Sequence, residues 1–218
     1  MLDEAGITLT ERDYYERYLG YDDLGVFQAV DQRHRLALDG DRLGELVAQK
    51  AARMERLERD QGVLFPGAAA AIARCAAVVP LAIASGALRV EIERVLNGTG
   101  LSRFFAAIVA AEDTAAGKPA PDPYVRAVGL LSETTAPRPP LSAGECIAVE
   151  DSHWGIRSAR AAGLTVVAVA HTYPAAALGE ADLVLDSIAA LDLERLGRLC
   201  PADPRLPAHG ETRYPGSK

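Results

Sequence analysis

The chain has 218 residues, of which 49% are hydrophobic and 24% charged, and its formal net charge at pH 7 is −7. These values are typical of a folded globular protein with one substantial core and room for a small second domain. The negative charge argues against a surface that binds nucleic acid, and the apolar, uncharged stretch from Cys75 to Leu88 is too short to span a membrane. Asp3 and Glu4 lie where a secretory signal would be basic and then apolar, so we expect a cytoplasmic protein.

The three cysteines predict neither a disulfide framework nor a zinc site. Cys75, Cys146 and Cys200 are widely spaced, and no Cys-x-x-Cys pair occurs. Cys75 and Cys146 lie in apolar runs, so we interpret them as small hydrophobic residues of the core.

The first part of the chain, to about residue 62, has the pattern of amphipathic helices, with apolar residues at helical spacing and charges on the other faces. Thr10, followed by Asp13, predicts a helix N-cap with an acidic first turn. From residue 63 the period changes, and β-branched runs alternate with helical patterns. Strands are predicted at 78–84, 106–111, 146–149, 165–170 and 182–185. This alternation predicts a parallel, doubly wound sheet.

Two adjacent acids, Glu150 and Asp151, follow a short apolar run that begins at Cys146, and Ser152 and a helical pattern come next. This order predicts that the carboxylates emerge at the carboxyl end of a buried strand, the edge where ligands bind in open α/β sheets. Adjacent carboxylates there suit a hard cation such as Mg²⁺, which takes oxygen ligands and shares them with phosphate. The alternative is an ordinary acidic helix start in which Asp151 and Ser152 only cap the helix.

Two earlier segments have the features of a phosphate site. In the first, an apolar run ends in Ser85 and Gly86 before a helical pattern, which places a hydroxyl beside the backbone N–H groups of a helix start. In the second, prolines restrict the backbone after Lys118, so that the lysine is held as a point charge for a phosphate. Taken singly, the two segments are equally explained as a plain serine N-cap and an exposed proline-rich loop.

Together and in this order, the three segments closely resemble the haloacid dehalogenase (HAD) superfamily of phosphohydrolases. The segments are Ser85-Gly86, the sequence Gly-Lys-Pro-x-Pro-Asp at 117–122, and Glu-Asp-Ser-x-x-Gly-Ile at 150–156. The last of them resembles the β-phosphoglucomutase-like branch of small-metabolite phosphatases and sugar-phosphate mutases. The resemblance implies that Ser85 and Gly86 bind phosphate and that Lys118 stabilises the nucleophile and the phosphate. It also implies that Glu150 and Asp151 hold Mg²⁺.

The same resemblance implies a domain organisation. We expect a small helical cap domain at 1–62, of which 1–9 is the remnant of a linker helix, and a Rossmann-like α/β core at 63–199. Residues 200–218 are rich in Pro, Gly and charge and are predicted to be a disordered tail.

One element that the resemblance implies is not in the sequence. The family begins with an apolar strand that ends in Asp-x-Asp-Gly-Thr, whose first Asp is the nucleophile and whose second is the general acid/base. Asp39-Gly40-Asp41 lies instead in a polar, helix-like region, and we interpret it as a turn and helix cap. We therefore expect the first, central strand of the core to be absent, which amounts to about 20–30 residues with its loop. The chain as given should then be inactive.

The residues Tyr21, Asp22 and Asp23 resemble the substrate-facing loop of the family's cap. Sugar-phosphate mutases carry an arginine at the position of Asp23, and an anion there would repel a second phosphate. This difference favours a phosphatase that removes a single phosphate. We therefore expect a Mg²⁺-dependent phosphatase for a small phosphorylated metabolite, and we expect the protein to be a monomer. A truncated sugar-phosphate mutase and a non-catalytic phosphate-binding protein are the alternatives.

Overall fold

A computed structural model of the chain describes residues 7–10, 13, 17–18, 23–61, 64–135 and 140–200. The helices are α1 Asp23–His34, α2 Gly40–Gln61, α3 Ala68–Ala76, α4 Arg89–Thr99, α5 Asp122–Thr135, α6 His153–Ala161 and α7 Leu193–Leu199. The strands are β1 Leu81–Ala84, β2 Phe105–Val109, β3 Ile147–Glu150, β4 Thr165–Val169 and β5 Leu183–Leu185. The predicted tail at 200–218 lies outside the described residues except for Cys200, and so does most of the segment predicted as the remnant of the linker helix.

The first two helices pack against each other, and Val26 and Val30 of α1 belong to a small apolar cluster with Ile7 and Tyr18. The backbone N–H of Arg42 donates to the Asp39 carboxylate at 2.8 Å, so Asp39 caps the start of α2. This contact confirms the interpretation of Asp39-Gly40-Asp41 as a turn and helix cap. The predicted cap at Thr10 is also present, because the Asp13 N–H donates to the Thr10 hydroxyl at 3.1 Å. That residues 1–62 form a separate domain stays a prediction.

All five predicted strands are present, and all their pairings are parallel. They form a two-stranded sheet, β1–β2, and a three-stranded sheet in the order β3–β4–β5. The main difference from the prediction is at 78–80, where the backbone closes the end of α3 before β1 starts at Leu81.

Helices cover both faces of the three-stranded sheet, as expected of a doubly wound fold. On one face, Val166 and Ala168 of β4 pack against Ile156 and Ala159 of α6. On the other face, Val167 and Val169 pack against side chains of α3 and α7. Four consecutive residues of β4 are therefore fully enclosed, which explains its nearly continuous apolar sequence.

The two sheets are parts of one layer, because two helices each pack against both of them. Helix α3 places Ala71 under the three-stranded sheet and Ile72 in the cluster of the two-stranded sheet. On the opposite face, α5 packs along β1 and β2 and contributes Tyr124 to the cluster that contains Ala148 of β3. Ala84, at the end of β1, packs against that same cluster. β1 and β3 therefore face each other across the interruption between the sheets.

Within the described ranges, no strand pairs with the edges of β1 and β3 that face this interruption. Every residue of β1 is partly exposed, and Val149 of β3 is 41% exposed. Strands in the middle of a parallel sheet are normally buried on both faces, as β4 is. The fold is thus the expected α/β, doubly wound core, with no strand between β1 and β3 among the described residues.

The longest described helix, α2, is highly charged. Among the described helices, none is both long and apolar enough to cross a bilayer.

Candidate active site

The parallel strands bring the predicted site residues to one edge of the sheet. Ser85 follows β1, and Asp151 follows β3. Thr172 comes three residues after the end of β4, whose Ala168 lies opposite Glu150 in the strand pairing. The carboxyl ends of these strands therefore meet at the edge where open α/β sheets bind ligands.

Glu150 and Lys118, predicted from separate segments, are in direct contact. The Lys118 ammonium donates to Oε1 of Glu150, and the hydroxyl of Tyr124 donates to the same oxygen. Glu150 is only 6% exposed, and a carboxylate in such a place requires a partner of opposite charge or several donors. Glu150 thus fixes the position of Lys118, which also lies 5.2 Å from the centre of the Tyr124 ring.

Tyr124 acts in this cluster as a hydrogen-bond donor that stays protonated. Its burial and the neighbouring charge of Glu150 raise the pKa of Tyr124 well above its usual range. Because the folded-state pKa is raised, the hydroxyl remains a donor throughout neutral pH, and its contribution to stability would be lost only in strongly alkaline solution.

The spacing of Glu150, Ser152 and Gly155 has a structural explanation. Ser152 caps α6, since its hydroxyl accepts from the Gly155 N–H at 3.1 Å. A Cβ atom at position 155 would overlap the carboxylate of Glu150. Glycine is therefore required in the first turn of α6 so that the helix can approach Glu150.

Helix α6 also holds the loop that carries Lys118. The hydroxyl of Ser158, which is fully buried, donates to the carbonyl of Ala120 at 2.5 Å. The N–H of Ala120 in turn donates to the carbonyl of Gly117 at 3.0 Å, and the peptide between Lys118 and Pro119 is cis. The loop is thus attached to the helix that follows the two acids.

Ser85 lies at the same edge, at the start of the turn that leads into α4. Its hydroxyl accepts from the N–H of Ala87 at 3.1 Å, and its own N–H donates to Val109 of the neighbouring strand at 2.9 Å. Gly86 is exposed, and a Cβ atom there would meet nothing within 4 Å. Its use in phosphate binding would therefore come from its backbone N–H and not from a lack of space.

Asp151 points toward the segment that follows β4, where the hydroxyl of Thr172 donates to its Oδ2. Asp151 is partly exposed, whereas Glu150 is buried. Among the described residues, no group of three or more His, Cys, Asp or Glu side chains is arranged to hold a metal ion.

Of the predicted specificity loop, the structure describes Asp23, whereas Tyr21 and Asp22 lie outside the described residues. Asp23 is the first residue of α1, and its Oδ2 lies 2.9 Å from the ammonium of Lys50. This pairing offsets the negative charge of Asp23 and weakens the repulsion that Asp23 would exert on a second phosphate of the substrate.

Replacing Gly155 with alanine should destabilise the protein, although glycine-to-alanine changes inside helices usually stabilise by up to about 1 kcal/mol. The added methyl group would displace the Glu150 carboxylate from Lys118 and Tyr124, and we expect a loss of about 1–3 kcal/mol, as for overpacked sites. Urea unfolding at low temperature, followed by the fluorescence of the neighbouring Trp154, would measure the change in the free energy of unfolding.

The matched control is Gly129→Ala in α5, where a Cβ atom would meet nothing within 4 Å. This variant should be as stable as the parent or slightly more stable. Equal effects of the two substitutions would show that the carboxylate does not require a glycine beneath it.

Three residues of the site, Tyr124, Ser158 and Thr172, were not predicted from the sequence. Each acts through a hydroxyl that contacts a residue at least 21 positions away, and no local sequence pattern indicates such a contact. Gly155 did carry a signal, because a glycine in the first turns of a helix often marks a close approach.

Comparison with known proteins identifies the family. The profile of the haloacid dehalogenase-like hydrolases matches residues 3–163. CbbY from a plasmid of Cupriavidus necator is 37% identical over 150 residues, which cover 67% of this chain and 52% of CbbY. The chloroplastic 5-amino-6-(5-phospho-D-ribitylamino)uracil phosphatase of Arabidopsis thaliana is 33% identical over 121 residues, which cover 54% of this chain and 30% of the relative. The chain thus spans about half, or less, of the length of these relatives.

The crystal structure of β-phosphoglucomutase from Clostridium difficile has the same fold. It superimposes with a TM-score of 0.76 at 19% identity, over 90% of this chain and 84% of the mutase. Since the family profile extends over most of the chain and the fold agrees with that of the β-phosphoglucomutase, this chain belongs to the haloacid dehalogenase-like hydrolases.

Proposed function

We propose that this chain is the larger part of a Mg²⁺-dependent phosphatase that hydrolyses a phosphate monoester of a small metabolite. The observation that supports this most is the cluster in which buried Glu150 and Tyr124 hold the Lys118 ammonium, next to Asp151. A cation held in this way is suited to a phosphate dianion, because it needs little reorganisation when the charge arrives. One relative, the Arabidopsis enzyme, is named as a phosphatase of a phosphorylated small molecule.

In this proposal the residues of the chain bind and orient the phosphate. The Ser85 hydroxyl and the Gly86 N–H donate to its oxygens, and Lys118 contributes a positive charge that grows in value as negative charge develops during transfer. Glu150 and Tyr124 do not touch the phosphate in this scheme, since both are buried and bonded to each other and to Lys118.

The attacking carboxylate would come from a strand between β1 and β3, as the family resemblance implies. That carboxylate attacks phosphorus and displaces the alcohol of the substrate, which forms an acyl phosphate on the protein. Water then hydrolyses the acyl phosphate, releases inorganic phosphate and restores the carboxylate.

The donors present fit Mg²⁺ in kind, because both are carboxylates and Mg²⁺ is often bound by one or two carboxylates together with water and substrate phosphate. Asp151 is the more accessible of the two, and Glu150 would lie behind it with much of its charge offset by Lys118. When bound, Mg²⁺ neutralises charge on the phosphate oxygens. Asp151 and Glu150 would hold it at the carboxyl edge of the sheet.

The test is to express the chain together with the in-frame coding sequence upstream of Met1 and to measure phosphate release from p-nitrophenyl phosphate and from sugar phosphates. We expect Mg²⁺-dependent release that falls by a factor of at least about 100 in Asp151→Ala and in Lys118→Ala, since each removes a charge that stabilises the transition state. Arg157→Ala and Glu180→Ala are matched controls, because these residues form an exposed ion pair of their own, and both variants should retain parent activity.

Other outcomes would replace the proposal. Interconversion of sugar 1- and 6-phosphates without net phosphate release would favour the mutase. An upstream stop codon, together with phosphate binding that depends on Lys118, would favour a non-catalytic phosphate-binding protein.

A further inference from the structure

We infer that Thr172 is a positioning residue for the metal-binding carboxylate of Asp151, an assignment that rests on the function proposed above. Thr172 lies in the turn after β4, between His171 and Tyr173, and the rings of both neighbours contact other parts of the structure. Its hydroxyl donates to Oδ2 of Asp151 from 21 residues further along the chain.

The turn before Thr172 is held by backbone and ring contacts. The N–H of Ala170 donates to the carbonyl of Leu185 at 2.8 Å, which attaches the turn to β5. The ring of His171 stacks on Phe65 with 4.1 Å between ring centres, and its Nε2 accepts from the N–H of Ile188 at 3.3 Å.

The residue after Thr172 is held from the side of the two acids. Tyr173 makes an edge-on contact with His153, with 4.6 Å between ring centres. His153 is the first residue of α6 and lies two positions after Asp151. Thr172 thus lies between His171, whose ring contacts Phe65, and Tyr173, whose ring contacts the helix that begins beside Asp151.

The consequence for Asp151 is a fixed orientation. A free aspartate rotates about two side-chain bonds, and it loses that freedom when a cation binds. A hydrogen bond that already occupies Oδ2 directs the other oxygen, Oδ1, as a single ligand and removes part of this cost. Outer partners of metal ligands act in this way, and their loss typically weakens metal binding by about 10- to 100-fold.

The experiment measures binding of Mn²⁺, a spectroscopic probe for the Mg²⁺ site, by electron paramagnetic resonance on the purified 218-residue chain, with Mg²⁺ as competitor. Thr172→Val keeps the shape of the side chain and removes the hydroxyl, and we expect it to weaken Mn²⁺ binding by about 10-fold. Thr172→Ser restores the hydroxyl and should bind close to the parent value. Thr99→Val, which removes a hydroxyl that contacts only its own helix, is the matched control and should bind as the parent does.

A second readout separates positioning from a general loss of structure. Phosphate binding, measured by calorimetry, depends on Lys118 in this scheme and should be unchanged in Thr172→Val. Equal losses of Mn²⁺ and phosphate binding in Thr172→Val would overturn the inference, because the effect would then be on the fold as a whole.

The role of Asp151 is tested in parallel. If Asp151→Ala loses Mn²⁺ binding while Thr172→Val binds as the parent does, the inference about Thr172 is wrong and the proposed metal site stands. If Asp151→Ala itself binds Mn²⁺ as the parent does, the proposed metal site fails, and the inference fails with it.

Discussion

Purified residues 1–218 should release no phosphate from p-nitrophenyl phosphate at any Mg²⁺ concentration. In the proposed scheme neither Glu150 nor Asp151 serves as the nucleophile. Glu150 is buried, and one of its oxygens accepts hydrogen bonds from both Lys118 and Tyr124, while Asp151 accepts a hydrogen bond from Thr172 and is assigned to the metal ion. Without a further carboxylate the covalent intermediate cannot form, although binding of phosphate does not require one.

The same sample should therefore bind ions without turnover. Phosphate should bind and should be lost in Lys118→Ala but kept in Arg157→Ala, whose cation belongs to the exposed pair with Glu180. Mg²⁺ should bind only in the millimolar range or more weakly, since two carboxylates, one of them paired with a lysine, are a small ligand set for an ion that gives up its water reluctantly. Measurable Mg²⁺-dependent turnover by this sample, lost in Asp151→Ala, would show that the chain contains its own nucleophile.

The second large effect concerns stability. The 218-residue chain should not unfold as one cooperative unit above about 50 °C, the middle of the range of ordinary domains. The edges of β1 and β3 that face the interruption have no strand partner among the described residues, which leaves backbone groups without the pairing that buried strands require. The apolar surface left exposed there, such as Val149, represents several kcal/mol of burial, against a total stability of only about 5–15 kcal/mol.

Calorimetry and light scattering during heating would measure this effect. We expect a broad transition with aggregation, because open strand edges pair with those of other copies. The helices α3 and α5, which pack against both sheets, should hold part of the structure together, so far-ultraviolet circular dichroism should report substantial helix even so. A single sharp and reversible transition above about 50 °C would contradict the prediction and would mean that the two sheets are stable without a strand between them.

The strands and the edge at which the site lies were predictable because the signals for them are local. Alternation of β-branched runs with helical patterns predicted all five strands, with shifts of one to three residues at their ends. The largest shift is at 78–80. There the N–H groups of Val78 and Val79 donate to the carbonyl of Cys75 at the end of α3 and do not join the strand, despite the strand propensity of valine. The order of the Ser85, Lys118 and Glu150–Asp151 segments along the chain was enough to predict the family, which the comparison confirms.

The sequence by itself determined the family and the parallel α/β core. It also predicted an interruption of that core, since no apolar run that ends in Asp-x-Asp precedes Ser85, and the described strands have no partner between β1 and β3. Only the tertiary structure decided how the two adjacent acids differ. Glu150 is paired with Lys118 over 32 residues of chain and Asp151 with Thr172 over 21, and which partner each acid meets depends on how the strands pair and how α6 packs. Side chains so far apart in sequence come together only when the sheet forms, so no local pattern specifies their contacts.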